Sequence, residues 1–292
     1  MAKPIVGLAL SSGGARGSAH IGVLRVLEEN GIVPDLIAGT SMGAYVGGAY
    51  ACGASLDDLE HEWRSTSFLR AAKTLLPTIP WSGWTSGGEV VRMLRRSFGD
   101  ATFRELERPF AAVATDLESG SPYVITDGSL VEAVRASLSV PGLFTPVWVN
   151  DHLLIDGGVS DPLPLRVARE MGADVVIAVD VLVDPADVHM SGLPYFGAKD
   201  RRLNIAKTVR PDEACTRRYH PSVFAVLFQM STVFQRGLCD AALAALPPDV
   251  HVRPDFSADP PTYTRVGCGI EAGATAARLA LPAIRRAIAS VD

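Results

Sequence analysis

The stretch Ala38–Tyr50, AGTSMGAYVGGAY, contains Gly39-Thr40-Ser41-Met42-Gly43, which fits the G-x-S-x-G pattern of a nucleophile elbow. In that motif a serine occupies a strained turn between a strand and a helix, and both glycines are needed because a Cβ would collide there. The apolar run Leu36-Ile37-Ala38 supplies the strand, and the small residues after Ser41 predict a helix docked closely on the sheet. We therefore predict that Ser41 is a nucleophile. The alternative is a glycine-rich turn before a buried helix.

A second glycine-rich loop precedes this one in the chain. Ile5–Leu10 is a continuous apolar run that predicts a central parallel strand, and it leads through Ser11–Gly17, SSGGARG, into a helix from Ser18 to Asn30. Such a loop gathers backbone N–H groups that bind either a phosphate or an oxyanion. The G-x-G-x-x-G pattern of dinucleotide sites lacks its first glycine here, because Ser12 occupies that position. The oxyanion interpretation is therefore favoured.

A carboxylate follows the hairpin predicted over Trp148–Ile155, which turns at Asn150-Asp151. The hairpin delivers Asp156-Gly157-Gly158, and the two glycines would allow another loop to approach the carboxylate. Asp-Gly is also a common turn dipeptide, so a simple turn remains the alternative. If the carboxylate is functional, Ser41 and Asp156 form a catalytic dyad.

Histidine is the usual base for a catalytic serine, so an ordinary Ser-His-Asp esterase is a second hypothesis. With Asp156 as the acid, the chain order of α/β-hydrolases would require His189, His220 or His251. None of these three lies in a catalytic signature. The remaining histidines are His20, His61 and His152.

The two glycine-rich motifs and Asp156-Gly157-Gly158, in this order, resemble the patatin-like phospholipase family over about residues 5 to 181. The resemblance implies a three-layer α/β/α fold with a mainly parallel central sheet. It also implies a lipid acyl hydrolase with a Ser–Asp dyad, no catalytic histidine and no cofactor. On this interpretation Ser41 is the nucleophile and Asp156 the base. The oxyanion hole is Gly13, Gly14, Ala15 and Arg16, and the motif glycines are Gly17, Gly39, Gly43, Gly157 and Gly158.

Two residues of the first loop qualify the resemblance. The family commonly has three glycines before the x-Arg-Gly, and Ser12 stands where the first would be. Arg16 has an alternative role as a structural contact to nearby carbonyls or acids, and we favour the interpretation that it orients the loop.

The rest of the chain alternates between predicted strands and helices, which fits the same architecture. The predicted strands are 110–115, 123–126, 175–181 and 250–253. The predicted helices are 56–68, 89–98, 130–138, 164–171, 221–246 as one helix or a helix pair, and 270–291, the last interrupted at Pro282. The aromatic segment Leu75–Gly88 is either the lip of a pocket or a surface loop.

Composition limits the classes of function. The chain has 292 residues, 48% of them hydrophobic, and we expect a single domain over 1–292 in which 182–292 is less diagnostic. The net charge of −5 argues against a nucleic-acid binder. Four widely spaced cysteines predict neither a zinc site nor a disulfide framework, hence no metal. The first apolar segment is too short for a signal peptide, so we expect a cytoplasmic protein.

The C-terminal part contains a candidate membrane contact. Lys199–Arg218 holds seven Lys/Arg against three acids, and the charge-free Pro221–Gln235 follows it. An apolar helix face beside basic residues predicts peripheral binding at the inner membrane surface. The apolar side chains that would form it are Val223, Phe224, Leu227, Phe228 and Met230. The alternative is a helix packed in the core or in a homo-oligomer interface.

Two further hypotheses for the function of the chain stay open. It could be an adaptor protein that retains the site, or an acyltransferase.

Overall fold

The computed structural model describes residues 3–64, 87–185, 223–256 and 265–291, which are organised around one eight-stranded sheet. The strands are β1 Val6–Leu10, β2 Leu36–Thr40, β3 Phe110–Asp116, β4 Pro122–Ile125, β5 Val147–Val149, β6 His152–Asp156, β7 Val175–Val179 and β8 Val250–Val252. The helices are α1 Ser18–Glu29, α2 Met42–Ala51, α3 Leu56–Arg64, α4 Gly88–Phe98, α5 Leu130–Ser137, α6 Leu165–Glu170, α7 Val223–Ala245 and α8 Val266–Ala289. Short 3-10 turns include Gly14–Gly17 and Gly157–Val159.

Alternate residues of the central strands belong to two separate hydrophobic cores, one on each face of the sheet. In β1, Leu8 and Leu10 pack in one core and Ala9 in the other, and in β7 the same holds for Ile177 and Val176. Every residue of β1 and β7 is buried, because helices cover both faces. The three-layer α/β/α prediction is therefore confirmed.

The centre of the sheet is parallel, as predicted. The strands β3, β2, β1, β7 and β8 follow one another across the sheet, and each neighbouring pair runs in the same direction. The pairings of β4 and β6 with β3, and of β5 with β6, are antiparallel. In open α/β sheets, ligands bind outside the carboxyl ends of the parallel strands. Both glycine-rich loops leave the sheet at that edge, since one follows β1 and the other follows β2.

The strands β2 and β6 meet end to end along β3. Residues 112–113 of β3 pair with both β2 and β4, and residues 114–115 pair with both β4 and β6. A strand has one neighbour on each side, so β4 occupies one side of β3 while β2 and β6 share the other. β2 ends at Thr40 beside Val113, and β6 ends at Asp156 beside Ala114. Because β6 runs opposite to β2, their last residues converge.

The hairpin predicted over Trp148–Ile155 is confirmed, and β3 and β4 form a second antiparallel pair. β3 pairs with β4, and β5 pairs with β6 through a two-residue turn at Asn150 and Asp151, whose φ angles are 47° and 62°. Positive φ at both central residues is the type I′ geometry that matches the twist of a hairpin. The turn fixes the register of β6 and therefore the place where Asp156 emerges.

The last helix corrects the prediction of a helix from Ile270 that is interrupted at Pro282. The helix α8 already begins at Val266 and continues through Pro282 to Ala289. A proline inside a helix removes one hydrogen bond and clashes with the preceding turn. This local cost is overcome by close packing on α1, where a Cβ on Gly273 would collide with the Ala19 carbonyl.

Three other predictions lie partly or wholly outside the described residues. These are residues 65–68 of the helix predicted over 56–68, the aromatic segment Leu75–Gly88 up to residue 86, and the whole of Lys199–Arg218. The helix predicted over 221–246 is confirmed over Val223–Ala245 as one continuous helix, α7. Within the described ranges, no helix has the length and hydropathy that crossing a bilayer would require.

Candidate active site

Ser41 lies in the strained turn that its motif predicts. It has φ 55° and ψ −116°, between the last residue of β2 and the first residue of α2. A non-glycine residue with positive φ is uncommon and costs on the order of 1–3 kcal/mol. The flanking glycines allow the turn, because a Cβ on Gly39 would lie 2.5 Å from the Gly43 carbonyl oxygen, and one on Gly43 would collide with that of Leu10. The side chain is thereby presented at the carboxyl edge of the sheet.

The structure brings Asp156 to Ser41. The Ser41 hydroxyl donates a hydrogen bond to Asp156 Oδ2 at 2.6 Å, and the Gly158 N–H donates to Asp156 Oδ1 at 2.7 Å. This contact follows from the convergence of β2 and β6 on β3. A Cβ on Gly157 would collide with the Val113 carbonyl, so the first glycine after Asp156 lets the turn lie directly against β3.

Burial makes Asp156 more basic than a free aspartate. Its side chain is almost completely enclosed, and desolvation raises its pKa to about 6, against the opposing effect of the hydrogen bonds from Ser41 and Gly158. The carboxyl is therefore still ionised at neutral pH, and it is a stronger base than an exposed carboxylate. The arrangement is a hydroxyl bonded directly to a buried base.

The glycine loop lies directly against the start of α2. A Cβ on Gly17 would lie 2.6 Å from Met42 Cβ, and one on Gly43 would collide with the Ser11 carbonyl. Gly14 has φ 55°, and a Cβ on Gly13 would lie 2.7 Å from Val181 Cγ2. The first N–H groups of a helical turn have no acceptor within the turn, so those of Gly14 and Ala15 are candidate oxyanion donors.

Arg16 contacts residues that follow β7 and β8 in the chain. Its guanidinium donates to the Leu182 carbonyl at 3.4 Å and stacks 4.9 Å above the Phe256 ring. The 3-10 turn itself is closed by a bond from the Arg16 N–H to the Gly13 carbonyl at 3.1 Å. These contacts fit a residue that orients the loop, which is the interpretation favoured on the sequence.

The C-terminal end of α5 is hydrogen-bonded to the main chain of both Ser41 and Asp156. The sequence analysis did not predict these contacts. The Ser41 N–H donates to Ser137 Oγ at 2.8 Å, and the Ser137 hydroxyl donates to the Val113 carbonyl at 2.6 Å. Two residues later, the Ser139 carbonyl accepts from the Asp156 N–H at 2.9 Å. One signal was available, since Ser137 is seven residues after Leu130 and therefore on the buried face of its helix.

Three of the four described histidines bond to other groups. His20 is fully buried and its Nε2 bonds to the Ser11 carbonyl at 2.9 Å, and His152 Nδ1 bonds to Asp116 at 2.6 Å. His251 Nε2 lies 3.3 Å from Asp180, and His61 is exposed on α3. His189 and His220 lie outside the described residues.

Comparison with known proteins gives a family and a set of relatives. The family described as patatin-like phospholipase matches residues 8–169, more than half of the chain. An uncharacterized NTE family protein of Mycobacterium tuberculosis is 41% identical over 179 residues, which cover 61% of this chain and 49% of that protein. Patatin-like phospholipase domain-containing protein 6 of Homo sapiens is 39% identical over 181 residues, covering 60% of this chain and 13% of that protein.

Similarity to solved structures is more distant. VipD from Legionella pneumophila has a TM-score of 0.41 and 14% identity, covering 94% of this chain and 74% of that chain. The match to the mycobacterial relative spans about half of that protein's length, and the match to the human relative a much smaller share.

Proposed function

The chain belongs to the patatin-like phospholipase family, and on that premise we propose that it hydrolyses carboxylic esters of lipids through an acyl-Ser41 intermediate. One observation carries the proposal: the 2.6 Å hydrogen bond from the strained Ser41 to the buried carboxylate of Asp156. Ser41 is the nucleophile and Asp156 its general base, so the reaction uses a Ser–Asp dyad. The matched relatives named above support a lipid substrate.

Acylation begins when Asp156 takes the hydroxyl proton of Ser41 as its oxygen attacks the ester carbonyl carbon. The carbonyl oxygen becomes an oxyanion, which the N–H groups of the glycine loop at Gly13, Gly14 and Ala15 stabilise. Such donors lower the activation free energy by a few kcal/mol. When the intermediate collapses, the carbon–oxygen bond to the alcohol breaks, and protonated Asp156 returns the proton to the leaving oxygen.

Deacylation repeats the same steps with water. Asp156 takes a proton from water, the hydroxide oxygen attacks the acyl carbon, and the bond to Ser41 breaks with the proton returned to the serine oxygen. The products are a carboxylic acid, an alcohol and the free enzyme. An alcohol that replaced water at this step would make the enzyme an acyltransferase.

We propose that one face of α7 rests on the lipid surface beside this site. The face consists of exposed apolar side chains: Val226, Leu227, Met230, Val233, Phe234 and Leu238. The only charged residues of α7 are Arg236 and Asp240, which pair with each other. The helix contacts the turn Gly157–Val159, which directly follows Asp156 and in which Val159 is also exposed. A surface of this kind fits peripheral contact with a lipid–water interface.

The test of the dyad compares two variants, Ser41→Ala and Asp156→Asn, with the wild type. A fluorophosphonate probe should label Ser41, and Ser41→Ala should abolish both labelling and hydrolysis of a lipid panel. Asp156→Asn should lower kcat by about a thousandfold or more, because the neutral amide cannot take the proton. Folded wild-type protein that neither reacts with the probe nor hydrolyses any lipid ester would refute the proposal.

Asp161→Asn is the matched control, because Asp161 is another carboxyl whose pKa burial raises to about 6. It should retain activity within a few fold, and the acid limb of its pH–kcat/KM profile should stay near pH 6. A shifted limb in this variant would assign the titration to Asp161 instead of Asp156. Alanine variants of His189, His220 and His251 test the triad alternative, since loss of a triad member costs several orders of magnitude in kcat.

A further inference from the structure

Gln235 of α7 is hydrogen-bonded to the start of the glycine loop. Its Oε1 accepts a hydrogen bond from the Ser12 hydroxyl at 2.7 Å, and its Nε2 donates to Ser231 Oγ, one turn earlier on α7, at 3.0 Å. Ser12 directly precedes Gly13, the first residue of the candidate oxyanion hole. The Ser12 N–H in turn donates to the Pro162 carbonyl at 2.9 Å, so Ser12 is fixed by both its main chain and its side chain.

The same amide group flanks the Asp156 turn. A Cβ built on Gly158 would lie 3.0 Å from Asp156 Oδ1 and 3.1 Å from both Cδ and Nε2 of Gln235. Any side chain at this position would be wedged between the carboxylate and the amide. Gln235 therefore lies against both parts of the site, the glycine loop and the turn that carries the base.

The neighbouring residue anchors α7 to the sheet. Arg236 is buried and donates to Asp180 Oδ2 at 2.8 Å, and Asp180, directly after β7, also accepts from the Leu182 N–H at 3.0 Å. An ion pair that is buried and hydrogen-bonded in this way is costly to break. The position of Gln235 is consequently fixed by the main chain of α7.

We infer that Gln235 is a positioning residue that holds the glycine loop at its working distance from Asp156 through Ser12. The inference rests on the proposed function, and it adds to it an element, α7, that lies outside the three motifs. Ser12 stands where the resemblance to the family leads one to expect a glycine, and Gln235 supplies the acceptor that the extra hydroxyl needs. The Ser12–Gln235 pair thus connects the helix with the proposed lipid-facing surface to the oxyanion loop.

A double-mutant cycle tests the link with a soluble short-chain ester as substrate. Gln235→Ala should lower kcat by about tenfold with KM changed less than about twofold, because the loop is misplaced in the transition state. Ser12→Gly should have a similar effect, and the double variant should be no slower than Gln235→Ala alone. The matched control is Gln229→Ala, which removes a glutamine of the same helix that donates to the Pro185 carbonyl at 3.2 Å. It should leave kcat unchanged.

Gln235→Glu gives a readout that a purely structural role would not move. It keeps an acceptor for Ser12 but places a negative charge beside Asp156. A nearby like charge raises the pKa of a carboxyl, so the acid limb of the pH–kcat profile should move upward by about one unit. In the wild type, the pKa of Asp156 is set by burial, the Ser41 hydroxyl and the Gly158 N–H. The adjacent cation of α7, Arg236, is paired with Asp180 and Asp240.

Effects of Ser12→Gly and Gln235→Ala that multiply in the double variant would overturn the inference, as would an acid limb that Gln235→Glu leaves in place. Wild-type protein that hydrolyses no ester would refute the proposed function separately. In that case the coupling between Ser12 and Gln235 is measured by the same double-mutant cycle, with urea unfolding in place of kcat as the readout. A double variant that unfolds at the urea midpoint of Gln235→Ala alone supports it, and additive losses overturn it.

Discussion

Ser41 and Asp156 are both in energetically unfavourable states in the folded protein, one because of its backbone conformation and the other because of its buried charge. The serine has a backbone φ of 55°, which its side chain disfavours, and the aspartate is ionised in a buried position where its pKa is raised to about 6. Strain and desolvation of this kind lower the stability of the fold while making the side chains reactive. The free-energy cost of ionised Asp156 can be measured, because its size depends on pH.

Asp156→Asn should stabilise the protein at neutral pH while it abolishes activity. Folding raises the pKa of this carboxyl from 3.8 to about 6, so its contribution to stability is complete below pH 3.8 and is lost as the pH rises through 6. Above that pH the ionised carboxylate costs about 3 kcal/mol relative to a neutral group. The asparagine avoids this cost, so urea unfolding at pH 7.5 should show a gain of about 2–3 kcal/mol.

At pH 4 the gain should nearly vanish, because the wild-type carboxyl is then protonated in the folded protein. The control is Asp127→Asn, an exposed aspartate, for which a surface substitution should change the free energy of unfolding by less than about 0.5 kcal/mol at either pH. A loss of stability in Asp156→Asn at pH 7.5 would contradict the assignment of a buried, ionised base.

Ser137→Ala should weaken both the elbow and its chemistry. The substitution leaves the buried N–H of Ser41 without its acceptor, which costs about 1–3 kcal/mol in the free energy of unfolding. It also releases the turn that orients Ser41, the proposed nucleophile, so kcat should fall about tenfold or more. Urea unfolding and hydrolysis of a soluble ester measure the two effects. Ser290→Ala, at an exposed serine after α8, should change neither, and wild-type kcat in Ser137→Ala would show that the elbow needs no support from α5.

At the scale of the elements, the motifs that were predictable are those whose geometry is local. The elbow after β2, the glycine loop after β1 and the hairpin that delivers Asp156 each follow from a few adjacent residues. The meeting of β2 and β6 depends on the register of both strands along β3, which no short pattern contains. For the same reason, the contacts of Ser137 and Gln235 could not be derived from the sequence, since they join elements that are far apart in the chain.

Two glycines in helices should respond to the same substitution with opposite signs. In Gly273→Ala the new Cβ collides with the Ala19 carbonyl, where α8 crosses α1, so urea unfolding should show a loss of about 1–3 kcal/mol or more. In Gly237→Ala on α7 the Cβ meets no atom within 4 Å, and alanine is the better helix former. That variant should gain about 0.5–1 kcal/mol. A neutral Gly273→Ala would show that the close crossing does not hold α8 continuous through Pro282.

At the scale of the molecule, the proposed catalytic residues lie at one edge of the sheet, and α7 packs beside them with part of its surface buried. The glycine loop, the elbow and the Asp156 turn meet there, and α7 contacts that turn with one face while another face is apolar and exposed. Burial of such a face in a lipid surface would bring Ser41 to substrates that are themselves insoluble. The proposed lipid contact and the proposed chemistry are therefore separable by experiment.

Leu227→Ser/Phe234→Ser should separate them. The two side chains are 47% and 59% exposed, so their replacement leaves the core intact, while the loss of apolar surface weakens contact with the interface by about 2 kcal/mol or more. Hydrolysis of phospholipid in vesicles, and flotation with them, should fall at least about tenfold, whereas kcat/KM for a soluble ester should stay within about twofold. Leu279→Ser, at a leucine of α8 that is 79% exposed, is the matched control and should change neither activity. The double variant could instead leave vesicle hydrolysis unchanged and convert a dimer to a monomer in light scattering. That result would show that the α7 face is a contact between copies of the chain.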